Sequence, residues 1–288
     1  MNSLRDCVNS ASHRLRAAGI PQAEAGLDAR LLARDVLGWD LAKYLTSSEE
    51  GPPAGFEEPF EAVVARREAR EPMAYILGRQ EFWGRDFTVT PAVLIPRPET
   101  EIVIETALSL YPDRRAALRI ADVGTGSGCL AVTLAAEFPD ALAIATDTSG
   151  AALAVARQNA IDLGVADRLT FVRADVLGGI PGSFDLIVSN PPYIPDADRR
   201  TLQPEVVDHE PAAALFGGAD GLDVIRRVVT EAGRALRPSG LLLVEFGVGQ
   251  ADQIAELISA TPGLTMVNLK CDLQGILRTV VARAEAPE

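Results

Sequence analysis

Short apolar runs alternate with longer segments of helical periodicity through residues 118–246. The runs are too short for helices, and the segments between them, such as 151–163, repeat apolar residues every three or four positions. This alternation predicts an α/β fold with a doubly wound, mostly parallel sheet. Two further runs near the C-terminus have no helix between them, which predicts an antiparallel edge strand. The predicted strands are 118–123, 141–146, 169–172, 184–189, 241–246, 264–269 and 277–282.

The first 80 residues follow a different pattern. Apolar side chains recur at helical spacing, as in Leu4, Val8 and Leu15, which predicts a small all-α domain. Residues 81–95 open with Glu81-Phe82-Trp83-Gly84, where aromatic and polar residues alternate around a glycine as in a β-hairpin. We therefore divide the chain into a helical bundle at 1–80, a hairpin linker at 81–95 and an α/β domain at 96–288.

The charge of the chain bears on its partners. It carries 27 basic and 40 acidic residues, for a net charge of −13, and residues 1–80 hold 10 basic and 12 acidic residues. Nucleic-acid binding requires clustered Lys and Arg, so we expect no direct nucleic-acid partner. Apolar runs fall far short of the roughly 20 residues of a membrane span, and Met1–Ser12 does not read as a secretory signal. We expect a cytoplasmic protein with no membrane partner.

A glycine-rich loop follows the first predicted strand, in Asp122-Val123-Gly124-Thr125-Gly126-Ser127-Gly128. A dinucleotide-binding loop would require its third glycine at position 129, which is Cys129. The spacing instead resembles the acidic-x-Gly-x-Gly-x-Gly loop of class I methyltransferases, which bind S-adenosylmethionine. That cofactor has no pyrophosphate, but its ammonium and sulfonium groups favour a nearby carboxylate such as Asp122.

Acidic residues also follow the second and third predicted strands. Asp147 lies about 20 residues beyond the glycines, where an acidic side chain can accept hydrogen bonds from both ribose hydroxyls. Asp175 is placed to accept from the adenine amino group, beside Val176. A single Asp at a strand end is as often a helix cap or turn residue. In combination with the glycine loop, however, these residues predict binding of S-adenosylmethionine, with S-adenosylhomocysteine as the product.

The fourth predicted strand runs into Asn190-Pro191-Pro192-Tyr193. Two prolines can simply end a strand, and Asn before Pro is a common turn opening. The tetrapeptide nevertheless lies at the carboxyl edge of the sheet, one strand from the glycine loop, where ligands of such folds bind. This position predicts a role in catalysis.

The tetrapeptide suits methyl transfer to a planar nitrogen. An amide nitrogen is a poor nucleophile because its lone pair is delocalised into the carbonyl. The Asn190 side-chain oxygen and the Pro191 carbonyl can each accept one NH2 hydrogen and thereby orient that lone pair. Pro191 and Pro192 stiffen the backbone, and the Tyr193 ring can pack against the flat amide. We expect Asn190, Pro191 and Tyr193 to be catalytic and all four residues to bind substrate, with no metal.

The tetrapeptide alone does not distinguish adenine, cytosine, guanine and glutamine as substrates. The whole chain, however, resembles the HemK/PrmC family, the glutamine methyltransferases of peptide chain release factors. The resemblance rests on the helical N-terminal region and on the following segments: Glu81-Phe82-Trp83-Gly84, Leu94-Ile95-Pro96-Arg97-Pro98-Glu99-Thr100-Glu101, the glycine loop, the tetrapeptide, His209-Glu210-Pro211, Ala214-Leu215, Gly217-Gly218, Asp220-Gly221-Leu222, Asp272-Leu273, Gly275 and Arg278.

The resemblance implies a class I methyltransferase fold and an enzyme that acts on class I release factors. We also expect the enzyme to be a monomer. The implied substrate is the glutamine of their Gly-Gly-Gln motif. The family's cofactor residues correspond to Gly124 through Gly128, Asp147 and Asn190, and its substrate residues to the tetrapeptide. Val176 departs from the family, which often has a large aromatic residue after the third-strand Asp.

Four alternatives remain. A glutamine methyltransferase of a ribosomal protein also resembles this chain. A DNA or RNA amino-methyltransferase would require a basic groove that residues 1–80 do not supply. An NAD enzyme is disfavoured by Cys129, and a nucleoside-binding module without catalysis is disfavoured by the intact tetrapeptide.

Overall fold

The computed structural model describes residues 3–180 and 182–286, which form two compact units. The first unit comprises the chain up to Gly78 together with Gln203–His209, and the second comprises Arg79–Leu202 and the chain from Glu210 onward. In the described part of the chain, no helix is long and apolar enough to cross a membrane.

The regular elements follow the predicted order. The helices are α1 (Leu4–Ala17), α2 (Gln22–Leu37), α3 (Leu41–Ser47), α4 (Glu57–Glu68), α5 (Met73–Leu77), α6 (Glu101–Leu110), α7 (Cys129–Glu137), α8 (Gly150–Asp162), α9 (Pro204–Val207), α10 (Ala212–Leu215), α11 (Asp223–Ala235) and α12 (Ala251–Ala260). The strands are β1 (Arg79–Phe82), β2 (Arg85–Thr88), β3 (Arg119–Val123), β4 (Leu142–Asp147), β5 (Leu169–Arg173), β6 (Phe184–Ser189), β7 (Leu236–Glu245), β8 (Leu264–Cys271) and β9 (Leu277–Ala284).

The first unit is helical, as predicted, and contains α1 to α5 with the distant helix α9. Its apolar core includes Leu15 and Leu32, which are fully buried. The buried Arg67 of α4 donates to Asp28 at 2.8 Å and to Glu205 of α9 at 3.0 Å. Arg67 thus joins α9 to the helical bundle, although α9 follows Asn190-Pro191-Pro192-Tyr193 in sequence.

The predicted hairpin is confirmed and consists of β1 and β2, which pair antiparallel. Its two-residue turn is Trp83-Gly84, and both residues have positive φ, at 53° and 69°. Positive φ at both central positions defines the turn type that matches the twist of a tight hairpin. Trp83 adopts this backbone conformation with its N–H donating to Glu101 at 2.7 Å.

The main sheet has seven strands in the order β5-β4-β3-β6-β7-β9-β8. The first five strands are parallel, whereas β9 is antiparallel to both β7 and β8. The mostly parallel sheet with antiparallel pairing at one edge is therefore confirmed. Because β3 and β6 are adjacent, the glycine loop after β3 and the tetrapeptide after β6 lie at the same edge.

Both faces of the sheet are covered by helices, which explains why consecutive residues of the central strands are mostly apolar. Successive residues point to opposite faces. Ile120 packs with α6, α7 and α8, and Ala121 packs with α11 and α12. All six residues of β6 are buried, so this strand provides a rigid support for the tetrapeptide.

Candidate functional site

A cavity of about 390 Å³ opens at the carboxyl ends of β3, β4, β5 and β6. This volume lies within the range of small-molecule sites, which is roughly 300–1,000 Å³. The cavity brings together most of the residues predicted from the sequence: Asp122, Gly124, Thr125, Gly126, Ser127, Asp147, Asp175, Val176, Asn190, Pro191 and Pro192. Of the predicted residues, all of which are described, Gly128 and Tyr193 are outside this lining.

The glycine loop requires its glycines for two different reasons. Gly124 and Gly126 have φ of 72° and 54°, and a Cβ atom at either position would meet no described atom within 4 Å. Their left-handed backbone therefore faces open space, where a ligand can approach closely. Gly128 precedes α7, and a Cβ there would lie 3.1 Å from the Ala156 Cβ atom. Gly128 thus permits close packing of α7 against α8 rather than ligand approach.

Asp122 is a buried carboxylate with one unused oxygen. It is 1% exposed, and its Oδ2 accepts from the Thr125 hydroxyl at 2.6 Å and from the Ala131 N–H at 3.1 Å. Oδ1 has no hydrogen-bond partner among the described residues. Burial raises the pKa of Asp122 to about 7, against the lowering effect of its two hydrogen bonds. An unpartnered buried acceptor beside a cavity is a favourable position for a cationic ligand group.

Asp147, the last residue of β4, contacts the glycine loop. Its Oδ2 accepts from the Gly126 N–H at 3.0 Å, and its Oδ1 accepts from the Ser149 N–H at 2.8 Å. Each carboxylate oxygen can accept more than one hydrogen bond, so both retain capacity for a ligand hydroxyl. The two backbone contacts hold the carboxylate in place at the cavity wall.

Asp175 and Val176 form the wall beyond β5. The Asp175 side chain is 66% exposed and forms an ion pair with Arg227 of α11, which also lines the cavity. Val176 is buried and has a φ of 54°. This backbone conformation is strained for a β-branched residue, and such strain is concentrated at ligand sites. The apolar Val176 side chain stands where the family often has an aromatic ring.

The Asn190 side chain belongs to a hydrogen-bond network whose other members are distant in sequence. Its Nδ2 donates to the Thr100 hydroxyl oxygen at 2.9 Å, and Thr100 donates to Glu245 Oε2 at 2.7 Å. The Tyr193 hydroxyl donates to Glu245 Oε1 at 3.1 Å. Burial raises the pKa of Glu245 to about 7, against these two hydrogen bonds and the nearby Arg278. The Tyr193 hydroxyl is thus bound to Glu245, at the last position of β7.

Sequence reasoning missed Thr100 and Glu245. Thr100 lies in a segment that carries the family resemblance, but it had no chemical signal of its own. Glu245 did have one, because it is the single charged residue in the apolar run 241–246. A buried carboxylate needs hydrogen-bond donors, so an acidic residue in such a strand indicates a polar network.

The residues of the cavity fit S-adenosylmethionine. The unused Asp122 oxygen suits a cationic group, Asp147 suits a pair of hydroxyls, and the glycine loop allows close approach of the backbone. The apolar side chains of Leu130, Ala152, Val176 and Val224 line the cavity and suit a flat purine ring. The cationic groups, the ribose hydroxyls and the purine ring of the cofactor therefore each have a suitable counterpart in the cavity.

Comparisons with known proteins match both parts of the chain. Residues 6–78 match the family model of the PrmC N-terminal domain, and residues 103–213 match that of the Methyltransferase small domain. The release factor glutamine methyltransferase of Bradyrhizobium diazoefficiens is 44% identical over 99% of this chain and 96% of its own length. That of Cereibacter sphaeroides is 45% identical over 98% of both chains.

The fold also occurs among solved structures. The crystal structure of a methyltransferase from Pyrococcus furiosus aligns with a TM-score of 0.53 at 19% identity, over 78% of this chain and 98% of its own. At this identity the similarity concerns the fold alone, and it agrees with the class I methyltransferase fold predicted from the sequence.

Proposed function

This chain belongs to the release factor glutamine methyltransferase family, as its motifs predicted, and on this premise we propose its substrate and its mechanism. It transfers the methyl group of S-adenosylmethionine to the side-chain amide nitrogen of a glutamine. The substrate glutamine is that of the Gly-Gly-Gln motif of class I peptide chain release factors, and S-adenosylhomocysteine is the product.

One observation carries this proposal. Asn190, Pro191 and Pro192 line the same cavity as the glycine loop and are supported by a wholly buried strand. A planar NH2 group needs two acceptors held in fixed positions, and this cavity offers the Asn190 side-chain oxygen and the Pro191 carbonyl.

Each residue has a defined task in the proposed mechanism. When bound, S-adenosylmethionine supplies an electrophilic methyl group on its sulfonium. The Asn190 oxygen and the Pro191 carbonyl accept the two amide hydrogens and direct the nitrogen lone pair toward the methyl group. No base is needed before attack, since the methylated nitrogen loses one proton to solvent water afterwards. Asp122 would hold the positively charged end of the cofactor, and Asp147 would accept hydrogen bonds from its ribose hydroxyls.

Methyl labelling tests the substrate directly. The full-length enzyme is incubated with methyl-labelled S-adenosylmethionine and, separately, with a purified release factor, ribosomal proteins, DNA and RNA. We expect label in the release factor, and no label in a release factor whose Gly-Gly-Gln glutamine is changed to asparagine. The Asn190→Ala enzyme serves as the control for contaminating activities.

The same experiment separates the proposal from its alternatives. Label in a ribosomal protein alone would transfer the assignment to the other glutamine substrate. Label in DNA or RNA would overturn the proposal, and so would label in a release factor that lacks the motif glutamine. The acidic net charge of −13 argues against the nucleic-acid outcome.

We also propose that the helical bundle of residues 1–80 docks the protein substrate and that residues 96–288, reached through the linker 81–95, carry out the transfer. Support comes from the surface of the first unit. Leu27, Leu41 and Leu45 are each about half exposed, at 48%, 49% and 56%. Leu27 and Leu45 also line the same surface pocket of this unit. Exposed apolar residues that lie together, rather than singly, are typical of protein-binding surfaces.

Surface variants of the full-length enzyme test this docking role. We expect Leu41→Glu with Leu45→Glu to lower kcat/KM on the intact release factor about tenfold, since contacts outside the reacting amide help orient a large substrate. Activity on a short Gly-Gly-Gln peptide should be unchanged. Leu273→Glu is the matched control, because Leu273 is a fully exposed leucine of the second unit. An equal loss on protein and peptide would contradict docking.

The remaining expectations concern the state of the enzyme in the cell. We propose that it acts as a monomer in the cytoplasm, without nucleic-acid or membrane partners. Sedimentation of the full-length protein checks the first point, and fractionation of cells checks the second.

A further inference from the structure

Two buried side chains outside the predicted site determine how Asn190 can hydrogen-bond. Ser189 pairs with Val244 between β6 and β7, so Glu245 ends its strand beside Asn190. Thr100 lies in the 3-10 turn before α6 and reaches both residues. Thr100 and Glu245 are each 1% exposed, so water does not compete for their hydrogen bonds.

In the network of Glu245, Thr100 and Asn190, each hydrogen bond has a fixed donor and a fixed acceptor, because the three groups differ in how many hydrogens they can donate. An ionised carboxylate only accepts hydrogen bonds, and a hydroxyl has a single hydrogen. Thr100 gives that hydrogen to Glu245, so its oxygen can only accept from Asn190. The Asn190 amide must therefore turn its NH2 group toward Thr100, which leaves the Asn190 oxygen free.

Shape alone would not select this orientation. The oxygen and nitrogen of a side-chain amide are nearly equal in size, so the group can turn through 180° without a change in packing. In the reversed orientation Asn190 would present its own NH2 group to the NH2 group of the substrate. Two donors facing each other cannot hydrogen-bond, and the substrate amide would lose one of its two acceptors.

We propose that Thr100 and Glu245 are positioning residues that fix the Asn190 amide with its oxygen toward the substrate nitrogen. This inference rests on the proposed methylation of a glutamine amide. Glu245 acts through Thr100 and is outside the cavity lining, whereas Thr100 is part of that lining. Tyr193 donates to the second oxygen of Glu245, so a single carboxylate holds both ends of the tetrapeptide.

The ionisation of Glu245 sets the direction of the network. Burial raises its pKa to about 7, and the groups that act on it are Thr100, Tyr193, Arg278 and Glu99, with Cys129 also nearby. Above this pKa the carboxylate only accepts, which enforces the productive orientation. Below it the protonated Glu245 can donate to Thr100, and the Thr100 hydrogen is then free to turn toward the Asn190 oxygen. Turnover at saturating substrates should therefore rise with pH through about 7.

Substitutions at Thr100 test the network with little change in volume. We expect Thr100→Val, which lacks the hydroxyl, to lower kcat by about 10- to 100-fold, the scale of a misoriented catalytic contact. Thr100→Ser keeps the hydroxyl and should retain kcat within about threefold. Cofactor affinity, measured by calorimetry, should be little changed in both. Thr133→Val is the matched control, because Thr133 is fully buried and its hydroxyl has no partner among the described residues.

Glu245→Gln provides a second, independent variant, since it keeps the shape and removes the buried charge. We expect a fall in kcat of about 3- to 10-fold, because the network then has no preferred direction. The rise of kcat through pH 7 should vanish in Glu245→Gln and in Thr100→Val. The latter retains the carboxylates of Asp122 and Glu245, so a rise that persists there would belong to another group.

Nuclear magnetic resonance gives a readout that does not depend on activity. The side-chain NH2 signals of Asn190 are assigned by their loss in Asn190→Ala. They should shift as pH passes through about 7 in the wild-type enzyme and should not do so in Glu245→Gln.

The outcomes are distinguishable from failure of the proposed function. A wild-type enzyme that does not methylate a release factor would overturn the substrate assignment, whereas a Thr100→Val enzyme with wild-type kcat would overturn positioning alone. In the Asn190→Ala background, Thr100→Val should cause no further loss, since its effect passes through Asn190. A full additional loss in that double variant would contradict the inference, because it would indicate a general structural effect.

Discussion

Two buried carboxylates lie on either side of the strand that carries the tetrapeptide, and they are satisfied differently. Asp122 is on β3 and Glu245 is on β7, with β6 between those strands. Each is 1% exposed, and burial raises the pKa of each to about 7. The protein occupies both oxygens of Glu245, whereas Oδ1 of Asp122 has no partner among the described residues.

The two buried carboxylates therefore have different roles. A carboxylate whose two oxygens both accept from protein donors orders the residues around it, as Glu245 does for Asn190 and Tyr193. A carboxylate with one unpartnered buried oxygen beside a cavity costs free energy, and a cationic ligand relieves that cost. We therefore expect substitutions on the Glu245 side to change turnover and substitutions on the Asp122 side to change cofactor affinity.

The largest effect should follow Asn190→Ala. Loss of one oriented acceptor typically costs about 100-fold or more in rate, and the cofactor dissociation constant should change only by a modest factor. Methyl-labelling kinetics measure the first quantity and calorimetry measures the second. If the Asn190→Ala enzyme kept near wild-type turnover, the proposed catalytic role of the tetrapeptide would be wrong.

Asp147→Ala should instead weaken cofactor binding and leave kcat nearly unchanged. The lost ribose hydrogen bonds to a charged acceptor are worth about 1.5–3 kcal/mol, so the dissociation constant should rise about 10- to 100-fold. At saturating cofactor, kcat should recover to near the wild-type value. An unchanged dissociation constant by calorimetry would place the ribose contact elsewhere.

Asp122→Asn tests the electrostatic part of the comparison. Ionised Asp122 favours a cationic ligand, and it is protonated below its pKa of about 7 and ionised above it. From about pH 6 to about pH 8, the wild-type enzyme should therefore gain about tenfold in affinity relative to Asp122→Asn. The ratio of the two dissociation constants corrects for titration of the ligand itself. A ratio that does not change with pH would contradict the assignment.

The smallest effect should follow Asp175→Asn. The Asp175 side chain is largely exposed, and exposed ion pairs such as that with Arg227 contribute little to stability. We expect the melting temperature to be unchanged and the cofactor dissociation constant to rise about threefold, as for one modest hydrogen bond. A loss of affinity as large as that of Asp147→Ala would give Asp175 a greater role than its exposure suggests.

The sequence determined the fold, and it brought most of the proposed cofactor residues to one cavity, because both depend on local patterns. The period of the apolar residues separates helices from strands, and the alternation of the two specifies a parallel sheet. Adjacent parallel strands bring their carboxyl ends together, so motifs placed after β3, β4 and β6 had to meet at one edge. The hairpin at Trp83-Gly84 was likewise predictable, since its signal lies within a few consecutive residues.

Only the tertiary structure revealed which polar groups satisfy one another. Glu205 belongs to a four-residue helix that gave no signal in the sequence, yet Arg67 binds it across 138 positions. Thr100 and Glu245 are separated by 145 positions, and their hydrogen bond exists because α6 and β7 are brought together by the sheet and its helical layer. Hydrogen bonds are short and directional, so their partners are decided by the packed chain rather than by spacing along it.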